Sequence, residues 1–110
     1  MTSPEALKGA NPEVLALARQ VAAIVRRVMR DPAYRVFLFG SWASGDARER
    51  SDIDIGIEGP GPVDPEAMLE IRAACDVLPT LYTIELIDFA QVAPDFRKEA
   101  KSRVLELEPA

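Results

Sequence analysis

The stretch Asp52-Ile53-Asp54-Ile55-Gly56-Ile57 constrains this chain more than any other segment. Its strict alternation has the period of an extended strand, with Ile53, Ile55 and Ile57 on one face and Asp52 and Asp54 on the other. One face of that strand suits a core, and the other carries two carboxylates side by side. Such charges repel, by roughly 1 kcal/mol in water and ~4 kcal/mol at an effective dielectric of about 20 for a ~4 Å separation. A cation between them converts this cost into binding energy. The chain has no histidine and a single cysteine, Cys75. His-dependent triads, His general bases, cysteine-rich zinc sites and disulfide frameworks are therefore excluded, and any metal here is held by oxygen. Hard oxygen donors suit Mg²⁺, which commonly takes one or two carboxylates together with substrate phosphates.

Elements around this strand follow from caps and periodicity. Asn11 is placed to cap a helix with Pro12 at its first position and Glu13 in its first turn, and Val14, Leu17, Ala18, Val21, Val25 and Val28 recur at helical spacing. Arg26, Arg27 and Arg30 crowd its end before Asp31-Pro32. They suit the carbonyl end of the helix dipole, or else they contact a partner or nucleotide. Val36-Phe37-Leu38-Phe39 is an apolar run ended by Gly40, as in a central strand buried on both faces. Beyond the Gly59-Pro60-Gly61-Pro62 loop, Asp64-Pro65-Glu66 opens a second helix with Met68, Ile71, Cys75 and Leu78 on one side, and Pro79 stops it. Cys75 is a core residue on this reading.

Leu81 to Ile87 reads as a third strand that places Glu85 on one face and Asp88 on the opposite parity. Phe96, Ala100, Val104 and Leu107 then follow at near-helical spacing, although Val104–Leu107 also fits a short terminal strand. The resulting order, helix, strand, loop, strand, helix, strand, helix, describes a small α/β sandwich.

At 110 residues the chain has room for one domain, spanning 1–110. Hydrophobic residues make up 48% and charged residues 28%, the balance of a globular fold rather than a disordered one. A net charge of −5 and a pI near 4.7 argue against direct binding of a long nucleic acid. The opening Met1-Thr2-Ser3-Pro4-Glu5 has no charged segment followed by an apolar run, and no apolar stretch approaches ~18 residues. A soluble cytoplasmic protein without membrane association is expected.

The chemistry concentrates in Gly40-Ser41-Trp42-Ala43-Ser44-Gly45-Asp46 and in Ser51-Asp52-Ile53-Asp54. Gly40 lets the backbone turn sharply after a buried strand and lets a ligand approach the main chain. Ser41 adds a hydroxyl, and the free N–H groups of a following helical turn attract anions. Adding Glu85 from the neighbouring strand brings three carboxylates together, enough for ions that activate an attacking oxygen and stabilise departing pyrophosphate. Asp88 is the rival to Glu85, disfavoured by its parity. Trp42 either packs inward or offers a face to a partner or base.

Gly40-Ser41 with Gly45, an arginine-bearing loop and then Ser51-Asp52-Ile53-Asp54 together resemble the minimal nucleotidyltransferase (MNT) domain of the polymerase-β-type nucleotidyltransferase superfamily. The resemblance runs over nearly the whole chain. It implies a nucleotidyltransferase-fold α+β sandwich with a mixed sheet of three to four strands flanked by helices. It also implies ATP and Mg²⁺ as cofactors, phosphate contacts from Gly40 and Ser41, and nucleotide-site roles for Ser51 and Arg48. Asp52, Asp54 and the third-strand acid Glu85 are implied as catalytic and metal-binding residues. That third acid is usually Asp; Glu85 is longer by one methylene at the group expected to accept the proton of the attacking hydroxyl, where small displacements are costly. Ser44 stands where many members carry a basic residue, which leaves Arg48 or Arg50 to meet the triphosphate.

Stand-alone MNT proteins are similar to antitoxins paired with HEPN ribonuclease toxins. The resemblance implies transfer of AMP from ATP to a tyrosine hydroxyl of the toxin (AMPylation) within a hetero-oligomer. A chain this short is expected to take its acceptor from another molecule, and its negative charge complements a partner with a basic RNA-binding surface. The alternative is an inactive nucleotidyltransferase-fold module that neutralises its partner by binding alone.

Overall fold

Helix α1 (Pro12–Met29) begins as its sequence requires. The Asn11 side chain accepts a hydrogen bond from the Glu13 N–H at 2.7 Å, and Pro12 fills a position that needs no N–H. Arg30 ends the helix in the left-handed region, φ 57°, with its N–H bonded to the Arg26 carbonyl. Arg26 itself donates to the Tyr34 carbonyl and ties the helix end to the first strand. The computed structural model describes residues 11–107, so the Met1–Glu5 segment, expected from its sequence pattern to carry no targeting signal, lies outside the described residues.

Strands β1 (Arg35–Phe39), β2 (Ile53–Glu58), β3 (Ile84–Asp88) and β4 (Leu105–Glu106) form one mixed sheet in the order β3-β2-β1-β4. Helices α2 (Ser41–Ser44), α3 (Pro65–Asp76) and α4 (Pro94–Lys101) lie between them in sequence. β1 runs antiparallel to both of its neighbours, while β2 and β3 are parallel and are joined through α3. The mixed α/β architecture expected from the sequence is the one observed.

The alternation of β2 decides how the layers pack. Ile53, Ile55 and Ile57 are fully buried against a core built with Val14, Val21 and Val25 of α1, Ile71 and Cys75 of α3, and Val36 and Leu38 of β1. Phe37 and Phe39 point through the opposite face into a second cluster with Phe89, under Ala100 of α4 and Val104. β1 is thus buried on both sides, as its unbroken apolar run predicts. Gly56 makes this second cluster possible: a Cβ there would lie 2.5 Å from the Phe37 ring and 2.7 Å from the Phe89 ring. Cys75 is buried in the first core, where burial and then Asp76 push its thiol up to about 11.

Two boundaries differ from the sequence reading. β3 begins at Ile84 rather than Leu81 because the Thr80 hydroxyl accepts the Tyr82 N–H at 3.1 Å, turning the chain and leaving Leu81 82% exposed. At the C-terminal end both alternatives occur in succession. The helix stops at Lys101, and Leu105–Glu106 then adds an edge strand to β1, continued by the Leu107 N–H bonded to the Val36 carbonyl at 2.9 Å.

Candidate active site

The site lies where β1 ends and β2 begins. Gly40 directly follows β1 with φ 75° and ψ −156°, a conformation essentially reserved for glycine. Its missing side chain has a second use, since a Cβ at Gly40 would stand 2.2 Å from Oδ2 of Asp54. The backbone turn is therefore pressed against a carboxylate of the next strand. Within the loop expected over 40–50, Ser41–Ser44 forms the short helix α2, with the Ala43 and Ser44 N–H groups both bonded to the Gly40 carbonyl. The earlier N–H groups of that turn have no intrahelical acceptor.

Trp42 packs inward. It is buried, its indole N–H donates to the Ser51 carbonyl at 2.9 Å, and its ring meets Tyr82 edge-on. Ser51 is held a second way, its hydroxyl accepting the Arg48 N–H at 2.8 Å while its own N–H bonds to the Arg48 carbonyl. Together these bonds anchor the residue that immediately precedes Asp52.

Strand register brings the acids together. Asp54 is paired with Phe39 on one side and with Glu85 on the other, in the parallel β2–β3 ladder. Partners in such a ladder share a face, so Glu85 stands beside Asp54 as its parity predicts. Asp54 is half-buried, whereas Asp52 and Glu85 are exposed. Burial, then the charge of Asp52, then that of Glu85 raise the Asp54 carboxyl from 3.8 to about 6. Among the described residues no lysine or arginine forms an ion pair with any of the three. Acids gathered without a basic partner form a donor set suited to a hard cation. Even so, among the described residues no three acidic, cysteine or histidine groups form a closed metal-binding group. Substrate oxygens would have to complete any coordination.

Asp88 is excluded from the site by structural duties. Its carboxylate accepts from the Val63 N–H, the Ala90 N–H and the Gln91 amide at 2.9, 3.0 and 2.9 Å, closing two loops.

A cleft of about 710 Å³ opens in front of Asp54, between the Gly40–Asp46 turn and the α4 side of the sheet. Gly40, Ser44, Asp46 and Asp54 line one wall, and Phe96, Glu99, Ala100 and Arg103 contribute to the other. The sequence reading missed this second wall. Phe96 and Ala100 fall at helical spacing and read as core, yet Phe96 is 46% exposed; Arg103 belongs to no recognisable pattern. Ser41, Arg48 and Ser51 shape the turn without lining the cleft, and Arg48 is exposed. Arg50 lines a separate groove with Glu13, Glu49 and residues 79–82.

Residues 26–106 match the family model for polymerase beta nucleotidyltransferases. The chain belongs to the polymerase-β nucleotidyltransferase family. This nucleotidyltransferase is 32% identical, over 78 residues, to the probable protein adenylyltransferase MntA of Haemophilus influenzae, an alignment covering 69% of this chain and 68% of the relative. Its fold is similar to a toxin–antitoxin crystal structure with AMP-PNP, at a TM-score of 0.60 and 20% identity, covering 84% of this chain and 73% of that one. It is also similar to the complex of a tri-AMPylated Shewanella oneidensis HEPN toxin with an MNT antitoxin, at a TM-score of 0.57 and 18% identity, covering 88% and 73%. In this nucleotidyltransferase, among the described residues, no helix is long and apolar enough to cross a membrane.

Proposed function

We propose that this nucleotidyltransferase transfers AMP from ATP to a tyrosine hydroxyl of a HEPN-type toxin ribonuclease in the cytoplasm, and so acts as its antitoxin within a hetero-oligomer. The observation that carries this reading is the placement of Asp54, paired in register with Glu85, flanked by Asp52 and pressed against the Gly40 turn. The adenylyltransferase relative and the AMPylated toxin complex support the choice of AMP and of a protein acceptor.

In this mechanism the Gly40–Ser41 turn receives the phosphates, and Ser51 and Arg48 fix the loop that delivers Asp52. Held by Asp52 and Asp54 with Glu85 beside them, Mg²⁺ would neutralise triphosphate charge and favour departure of pyrophosphate. The tyrosine oxygen attacks the α-phosphorus in line, the bond from that phosphorus to the bridging oxygen breaks, and pyrophosphate leaves. Glu85 accepts the phenolic proton, and its exposed position lets an acceptor approach from outside the cleft.

One observation favours a second reading, neutralisation by binding alone. The three carboxylates do not close into a metal-binding group, and Glu85 is longer than the usual Asp. Copurification with the partner and intact-mass analysis, before and after adding ATP and Mg²⁺, separates the two. Adenylyl transfer adds one or more AMP units to the partner, and Asp52→Asn with Asp54→Asn abolishes both the addition and the neutralisation. If neutralisation survives that double change, the catalytic account fails.

A further inference from the structure

The cleft in front of Asp54 has an uneven charge distribution. Its acids are Asp46, Asp54 and Glu99, and Arg103 is its one basic residue among those described. Several nearby cations are committed elsewhere, and Arg48 and Lys98 do not line this cleft. Arg97 and Lys101 of α4 both pair with Glu58, Arg35 pairs with Glu58 and Glu106, and Arg50 opens onto the other groove. Arg103 stands in the connector between α4 and β4 and is exposed. A long contact of 3.4 Å to the Ser44 carbonyl holds it across the cleft from the Gly-Ser turn. A guanidinium carries several N–H donors in a planar fork, so one weak contact leaves most of them available to a ligand.

We infer that Arg103 grips the β- and γ-phosphates of the incoming nucleotide. The inference rests on reading this cleft as the nucleotide site. An α-phosphate placed at Asp54 and Gly40 leaves the rest of the triphosphate within the cleft, where Asp46 and Glu99 repel it and Arg103 is the one cationic side chain among the described lining residues. Ser44 carries no charge of its own, and the guanidinium from the opposite wall lies against its carbonyl. Bidentate hydrogen bonding to phosphate oxygens is the recognition for which arginine is best shaped.

Calorimetric titration of ATP and AMP, each with Mg²⁺, into the wild type and into Arg103→Gln, Arg103→Lys and Arg48→Gln tests this assignment. Arg103→Gln is expected to lose about ten- to a hundredfold in ATP affinity and to leave AMP affinity and the melting temperature unchanged. Arg103→Lys should recover part of the loss. ATP affinity unchanged in Arg103→Gln overturns the assignment, as does loss of the preference for ATP over AMP in Arg48→Gln instead. A wild type that binds neither nucleotide overturns the reading of the cleft itself.

Discussion

Replacing Gly40 by alanine tests whether the glycine turn and the carboxylate of Asp54 form one device. At φ 75° and ψ −156° an alanine is strained by ~1–3 kcal/mol. Its Cβ also meets Asp54 Oδ2 at 2.2 Å and Cγ at 3.1 Å. The nearest obstruction is the tip of a side chain rather than backbone, so the carboxylate swings away and the turn survives. A displacement of about 1 Å at a reacting group costs on the order of a hundredfold in rate. Gly40→Ala should therefore fold, melt lower by about 4–8 °C per kcal/mol lost, and transfer AMP about a hundredfold more slowly. Gly45→Ala is the matched control. Gly45 is also left-handed, φ 88°, but nothing lies within 4 Å of its would-be Cβ, so alanine there costs stability and spares the site. Thermal melts and intact-mass kinetics on both variants decide the matter. Transfer by Gly40→Ala within twofold of wild type, or equal losses in both variants, refutes the coupling of Gly40 to Asp54.

Other substitutions probe the rest of the sheet. Gly56→Ala inserts a methyl 2.5 Å from the Phe37 ring and should cost ~3 kcal/mol in urea unfolding, because two packed rings must yield. For Asp54, a folded value near 6 against an ordinary 3.8 means that the folded state binds the proton more tightly, so stability falls as pH rises from about 4 through 6. The shift corresponds to ~3 kcal/mol, which the open cleft screens to roughly half. Asp54→Asn without metal should thus be more stable than wild type near pH 8 by ~1.5 kcal/mol, with the two converging near pH 4; Mg²⁺ should stabilise only the wild type. Glu58 behaves in the opposite sense. Burial acts to raise its carboxyl, but hydrogen bonds from Lys101 and Arg97 outweigh burial and lower it, so its contribution is present above the ordinary carboxylate range and is lost as pH falls. Glu58→Gln should cost ~1–2 kcal/mol near neutral pH and progressively less on acidification, measured by urea unfolding across the pH range.

Much of this protein was legible in its sequence because the signals are local. Asn11 and Pro12 begin α1, and Asp64 and Pro65 begin α3, because capping involves only residues a turn apart. Alternation alone put Ile53, Ile55 and Ile57 in the core with Asp52 and Asp54 opposite, and the same parity preferred Glu85 to Asp88. The Gly-Ser turn was legible because its neighbours in sequence are also its neighbours in space. Where the reading failed, a side chain redirected the backbone: Thr80 takes the Tyr82 N–H and delays β3 to Ile84.

Tertiary structure decided what depends on contacts between distant segments. Register, which no single strand specifies, sets Asp54 directly beside Glu85, and burial, then Asp52, then Glu85 raise its affinity for a proton. Glu58 gains its partners only when α4 brings Arg97 and Lys101 onto it, 39 and 43 residues along the chain. The use of Gly56 within its strand shows only in the fold, where Phe37 and Phe89 need the space. Arg103 has no pattern around it, and it meets Ser44, 59 residues away, because β4 returns the chain to the edge of β1. Periodicity and capping are properties of neighbours along the chain, whereas charge environment and close packing are sums over neighbours in space, which only the folded sheet assembles.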